Sequence, residues 1–241
     1  QKRAKIGLMD EIQNLSDWEL FVNRLQRQQN NLVLTGSNSK MLSKELAKYL
    51  TGRYYELRIL PFSFSEFLKA QKLNSENYLT SKIKLNDYLA RGGYPEIIVK
   101  NIDHVTYLKT HVKSVIFKDI VRRYNIRYSS ELYELSKFLF SNFSTELSLN
   151  KIGNMLEIGS VHTVKKYLDY LEEAYLFIKI PRYSFKHKEI IKIPNKRYTI
   201  DNGIINTFST RSTKDLGKIM ENTVAIELLR RYGKKYILLE R

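Results

Sequence analysis

Two acidic residues, Asp10 and Glu11, directly follow the run Ile6-Gly7-Leu8-Met9. A mostly apolar run leading into Asp-Glu makes a Walker B pattern. A buried strand carries both carboxylates to the C-terminal edge of a sheet, where ligands bind in open α/β sheets. There the first acid holds magnesium through water and the second polarises an attacking water. A strand that ends in two solvated acids has the same sequence, so the pair alone decides little. Thr35-Gly36-Ser37-Asn38 follows the next apolar run, Leu32–Leu34. A polar residue at the end of a neighbouring strand can sense a γ-phosphate or orient a water. An ordinary turn with Asx and Ser hydrogen bonds reads the same way.

The elements needed to place these groups are legible. Lys5–Met9 reads as a buried strand. Ser16 or Asp17 can cap a helix in which Trp18, Phe21, Val22 and Leu25 recur at helical spacing. Leu32–Leu34 is a second strand, and Ser39 opens a helix with Leu42, Leu46 and Leu50 at period four. Tyr55–Leu60 reads as a third strand and Phe62–Leu68 as a helix start. Strand, helix, strand, helix, strand is a parallel α/β pattern. From Asn77 to Ser144 the pattern is helical, with Val105–Tyr124 the longest amphipathic stretch and Glu131–Phe143 after it. Leu149–Leu156, a turn at Gly159 and a helix opening at Ser160 come next. Leu176–Ile180 and Ile190–Thr199 read as strands flanking a basic loop. Gly217–Arg231 is a last helix and Tyr236–Leu239 a last strand.

Composition limits the chemistry. The 241 residues include 41 Lys and Arg against 25 Asp and Glu, a net charge of +16. Such an excess favours a polyanionic partner. The chain has no cysteine, which excludes a disulfide scaffold, a thiolate zinc site and a cysteine nucleophile. That fits a reducing compartment, and a cytoplasmic location is the expectation. No apolar run reaches the length of a membrane span. His104, His111, His162 and His187 have no metal-ligating spacing, and no nucleophile elbow occurs.

Several blocks occur in one order with compact spacing. They are Asp10-Glu11-Ile12-Gln13-Asn14, Trp18, Thr35-Gly36-Ser37, Leu50-Thr51-Gly52-Arg53 and Leu60-Pro61-Phe62-Ser63-Phe64-Ser65-Glu66-Phe67-Leu68. Gly92-Gly93-Tyr94-Pro95 and Lys118-Asp119-Ile120-Val121 continue the series. This order resembles a family of bacterial and archaeal AAA+-like ATPases, along essentially the whole chain. The resemblance implies an α/β plus α+β chain: the rear of a P-loop ATPase core over 1–70, a helical region over 71–144, a winged helix over 145–200 and the start of a restriction-endonuclease-like unit over 201–241. It implies ATP and Mg²⁺ as cofactors, Asp10 as the magnesium-side acid and Glu11 as the catalytic base. Ser37 becomes the sensor-like residue, with Asn38 in reserve. Arg53 becomes a phosphate-sensing arginine, or one acting on a neighbouring subunit of a homo-oligomer; a structural ion pair is the plain alternative. A Walker A loop, Gly-x-x-x-x-Gly-Lys-Ser/Thr, is missing from the sequence. In the family it precedes Walker B, so it is expected upstream of Gln1 in a longer gene product.

Short helix, turn, second helix and basic hairpin are the parts of a winged helix. In that arrangement Ser160, His162, Thr163, Lys165 and Lys166 begin the groove-reading helix, and Val161, Val164 and Leu168 pack inward. Lys186 and Lys188 contact phosphate from the wing, making duplex DNA the expected partner. A winged helix used for protein contact has the same parts. Asp201, Glu221 and Glu227 are the acids that the nuclease-like resemblance singles out. Glu221 reads as structural, because the strand bearing further acids does not occur here.

Overall fold

Strand β1 (Ile6–Met9) and strand β2 (Asn31–Leu34) pair in parallel, in the register Ile6↔Asn31 to Met9↔Leu34. Parallel neighbours need a crossover, supplied here by helix α1 (Trp18–Arg27). The computed structural model describes residues 6–37, 53–73, 78–180, 195–209 and 215–233. Trp18 and Val22 of α1 bury with Ile12 against Met9, Leu32, Leu34 and Tyr54. The opposite sheet face presents Ile6, Leu8 and Val33 exposed, so the strand expected to be buried is covered on one side only among the described residues. Asp17 holds the N-cap position but makes no side-chain cap bond; its own φ is 55°.

Residues 53–60 form no strand, which corrects the third strand expected at Tyr55–Leu60. The alternation is present, but Tyr55, Leu57 and Ile59 are 98, 83 and 89 % exposed. An alternating run codes for extended backbone; a strand also needs a ladder partner. The helix expected from Ser39 lies outside the described residues.

The chain divides into two compact units: Gln1–Ile59 with Glu173–Tyr175, and Leu60–Glu172 with Leu176–Arg241.

In the second unit, helix α2 (Phe64–Ala70) starts at a capping box. Ser63 Oγ accepts from Glu66 N at 3.3 Å, and the Glu66 carboxylate accepts from Ser63 N at 2.7 Å. Ser63→Ala is expected to destabilise this unit by about 1 kcal/mol, read from urea denaturation. Helices α3 (Tyr78–Arg91), α4 (Pro95–Lys100) and α5 (His104–Ser114) follow. Helix α5 runs on into a π-helical stretch, Val115–Val121. Leu108, Val112, Ile116 and Ile120 are fully buried along it. A strict period of four drifts around an ordinary α-helix, and the wider π turn slows that drift. Helix α6 (Ser129–Ser141) buries Leu132, Leu135, Leu139 and Phe140.

Helix α7 (Leu149–Met155) and helix α8 (Val161–Glu173) precede strands β3 (Phe177–Ile180) and β4 (Lys196–Thr199), which pair antiparallel. Phe140 stacks on Phe177 with ring centroids 4.7 Å apart. Helix α9 (Asn202–Phe208) packs against α3, α5 and α6. Helix α10 (Leu216–Tyr232) packs on β4 and α3 through Ile219, Asn222, Ile226 and Leu229, while Val224 and Leu228 face outward. The last strand expected, Tyr236–Leu239, lies outside the described residues. No helix among the described residues is long and apolar enough to cross a membrane.

Candidate functional site

The parallel register sets Met9 beside Leu34, so the residues after each strand meet at one edge. Thr35 N donates to Met9 O at 2.9 Å and Ile12 N donates to Thr35 O at 3.3 Å. The Thr35 hydroxyl donates to Asp10 Oδ1 and accepts from Glu11 N, the latter at 3.2 Å. Ser37 Oγ donates to Glu11 Oε2 at 3.3 Å. Both acids thus carry a hydroxyl from the end of the neighbouring strand. Glu11 is left-handed, with φ 48° and ψ 44°. A non-glycine residue held there costs about 1–2 kcal/mol, so the local bonds hold the turn against its own preference.

Asp10 is exposed at this edge. Among the described residues no three His, Asp or Glu side chains cluster as a metal cage. Magnesium needs none: it keeps several waters and binds through one or two carboxylates plus substrate phosphates. A lone exposed carboxylate at the sheet's C-terminal edge fits that habit.

The other expected residues divide. Ser37 does reach Glu11. Arg53 is exposed. Asn38, Lys186 and Lys188 lie outside the described residues. Ser160, His162, Lys165 and Lys166 are exposed at the start of α8. Ser160 Oγ accepts from Thr163 N at 3.1 Å, which makes it the helix cap. Val164 and Leu168 are buried as expected, whereas Val161 is exposed.

Asp201, Glu221 and Glu227 do not form an acidic cluster; each is held by other groups. Glu221 accepts from Lys196 Nζ at 2.9 Å and from the Tyr198 hydroxyl at 2.7 Å. Glu227 pairs with Arg231 at 2.7 Å. Asp201 is buried and accepts from Gly93 N at 2.6 Å and Gly203 N at 2.8 Å.

Asp201 is the centre of a junction that sequence reasoning missed. Two motif blocks far apart in sequence, 60–68 and 92–95, converge there. Phe62 N donates to Gly93 O at 2.7 Å, and the Tyr88 hydroxyl donates to Phe62 O at 2.9 Å. Gly92 has φ 80°, and a Cβ on it would lie 1.8 Å from Asp201 Oδ1. A Cβ on Gly93 would lie 2.3 Å from the backbone oxygen of Phe62. Only paired glycines let the three strands of backbone approach so closely. Asn222 closes the rear: its Oδ1 accepts from Thr199 N at 2.8 Å, and its Nδ2 donates to Thr199 O and Asn202 Oδ1, both at 2.9 Å. Burial pushes the Asp201 carboxyl up to about 6, against three backbone N–H groups that pull it down. Burial beside Asp201 also raises the Tyr88 and Tyr94 hydroxyls. A cleft of about 270 Å³ opens over the junction, lined by Phe62, Ser63, Asp201, Asn202, Glu227 and Arg230 among others. Arg230 Nη2 donates to Pro61 O at 2.6 Å across it. The recurrence of Gly and Pro in these blocks was the visible signal; what they approach was not.

Comparison with known proteins divides the chain much as its two units do. Residues 1–68 match the AAA domain family, which supports an AAA-like P-loop ATPase. Residues 82–215 match a domain of unknown function, DUF8612. An uncharacterized protein of Methanocaldococcus jannaschii is 36 % identical over 242 residues, covering 95 % of this chain and 54 % of that protein. An uncharacterized protein of Haemophilus influenzae is 36 % identical over 230 residues, covering 93 % of this chain and 57 % of that protein. The chain therefore spans a little over half the length of these relatives. No solved structure matches.

Proposed function

The chain belongs to the DUF8612 family and carries an AAA-domain stretch ahead of that domain, and from this premise we propose that it is part of an ATP-hydrolysing switch. Asp10 would hold Mg²⁺, and Glu11 would polarise the water that attacks the γ-phosphate. Held by Asp10, the metal would supply positive charge to offset that of the phosphates. Ser37 fixes the Glu11 carboxylate, and Arg53 is kept as a phosphate-sensing residue or one acting on a neighbouring subunit. The observation that carries this reading is the pair of hydroxyls, Thr35 and Ser37, bonded to Asp10 and Glu11 at the C-terminal edge of a parallel strand pair. Phosphate release from ATP by the full-length gene product, with and without Mg²⁺, tests it. Magnesium-dependent release is expected; none under any condition overturns the reading.

A second reading concerns nucleic acid. Exposed Ser160, His162, Lys165 and Lys166 open α8, and an antiparallel strand pair follows α8 in the chain. This order supports a winged helix that docks α8 in the major groove of duplex DNA. The basic stretch with Lys186 and Lys188 then contacts phosphate.

A further inference from the structure

The main-chain and side-chain polar groups of Thr35 are all directed at four consecutive residues. Its N–H is given to Met9, its carbonyl takes the Ile12 N–H, and its hydroxyl serves Asp10 and Glu11 at once. A hydroxyl has one hydrogen. That hydrogen goes to Asp10 Oδ1, so Glu11 N meets the oxygen as an acceptor. The two bonds fix different things. The first sets the rotation of the Asp10 carboxylate and engages one of its oxygens. The second holds the backbone of Glu11 in its left-handed conformation, and with it the direction in which the Glu11 side chain leaves the strand. Residues 10 and 35 directly follow adjacent strands whose last ladder pair is Met9↔Leu34, so the hydroxyl acts from a rigid mount.

We infer that Thr35 is a positioning residue that sets both acids for the proposed hydrolysis, Asp10 through its side chain and Glu11 through its main chain. The inference rests on the ATPase reading above. Ser37 Oγ bonds the Glu11 carboxylate, whereas the Thr35 hydroxyl meets both acids. Valine is nearly the same shape as threonine, keeps the β-branch that suits a strand end and lacks the hydroxyl. In Thr35→Val the Asp10 carboxylate is freed to turn and the Glu11 amide loses its acceptor. A small misplacement of catalytic groups costs up to about a hundredfold in rate.

The test compares the full-length wild type, Thr35→Val, Thr35→Ser and Glu11→Gln. Thr35→Val is expected to lower kcat about tenfold to a hundredfold, with KM for ATP little changed. Thr35→Ser is expected to recover most of the rate. Independently of turnover, the amide hydrogens of Glu11 and Ile12 are expected to exchange faster in Thr35→Val than in Thr35→Ser. If Glu11→Gln is inactive while Thr35→Val matches the wild type in rate and in amide exchange, the role given to Thr35 is overturned and the ATPase reading stands. If the wild type releases no phosphate, the ATPase reading itself falls; if it does and Glu11→Gln is as active, Glu11 is not the base and the positioning role given to Thr35 falls while the ATPase reading stands.

Discussion

Replacing Glu11 by Gln is expected to slow ATP hydrolysis by the full-length gene product about a hundredfold to ten-thousandfold while leaving nucleotide binding intact. That range is what a positioned general base contributes to a proton transfer. The substitution is close to isosteric. Ser37 Oγ, now 3.3 Å from a carboxylate oxygen, still finds a carbonyl oxygen to donate to. The bond from Thr35 to Asp10 does not involve the changed group, so the magnesium-side acid stays set. Glutamine and glutamate bear a left-handed backbone at similar cost, and the turn keeps its geometry. The measurements are phosphate release for the rate, calorimetric titration with ATP for binding and thermal melting for the fold. A melting point within about a degree of the wild type, with lost turnover and retained affinity, is the expected combination. A variant that turns over like the wild type removes Glu11 from the chemistry.

The local half of this site was legible, and the reason is range. Apolar runs, helical spacing and the acid pair act within a few residues, so β1, α1 and β2 could be read from their own sequence. The hydroxyl partners fall one strand away, and the turn after β2 pointed at Ser37 and Asn38 by residue type. A threonine at a strand end is ordinary by propensity; only the pairing of Met9 with Leu34, which brings the residues after each strand together, makes Thr35 special. The Asp201 junction was hidden for a stronger version of the same reason. Gly93 and Asp201 are 108 positions apart, and no periodicity links them. The acid was read with the wrong partners, as one of three nuclease-like carboxylates, because chain order puts it near Glu221. Its bonds in fact run to Gly93 and Gly203. Tyr55–Leu60 failed in the opposite direction, since its alternation was real and its ladder was not.

Asp201→Asn should separate the two things that Asp201 contributes, a pair of acceptors and a buried charge. Oδ2 accepts from Gly93 N and Oδ1 from Gly203 N. An asparagine offers one carbonyl oxygen, so its amide nitrogen faces a backbone N–H. A buried donor left without an acceptor costs about 1–3 kcal/mol. Against this stands the charge. Asp201 binds its proton more tightly in the fold than in the unfolded chain, with a pKa of about 6 against an ordinary value of 3.8. Its stabilising contribution is therefore complete below pH 3.8 and is lost as the pH rises through about 6. The shift corresponds to a loss of about 3 kcal/mol between those limits, an order-of-magnitude figure. Asparagine does not titrate, so the variant lacks this slope. Urea denaturation of both proteins between pH 4 and pH 8 is expected to show Asp201→Asn the less stable at pH 4. The gap is expected to narrow, and can close, toward pH 8, because only the wild type pays for burying the charge. Parallel stability profiles across that range would mean that Asp201 is not ionising within the junction. A variant as stable as the wild type at pH 4 would mean that its two backbone bonds do not hold the Gly92-Gly93 turn to the start of α9.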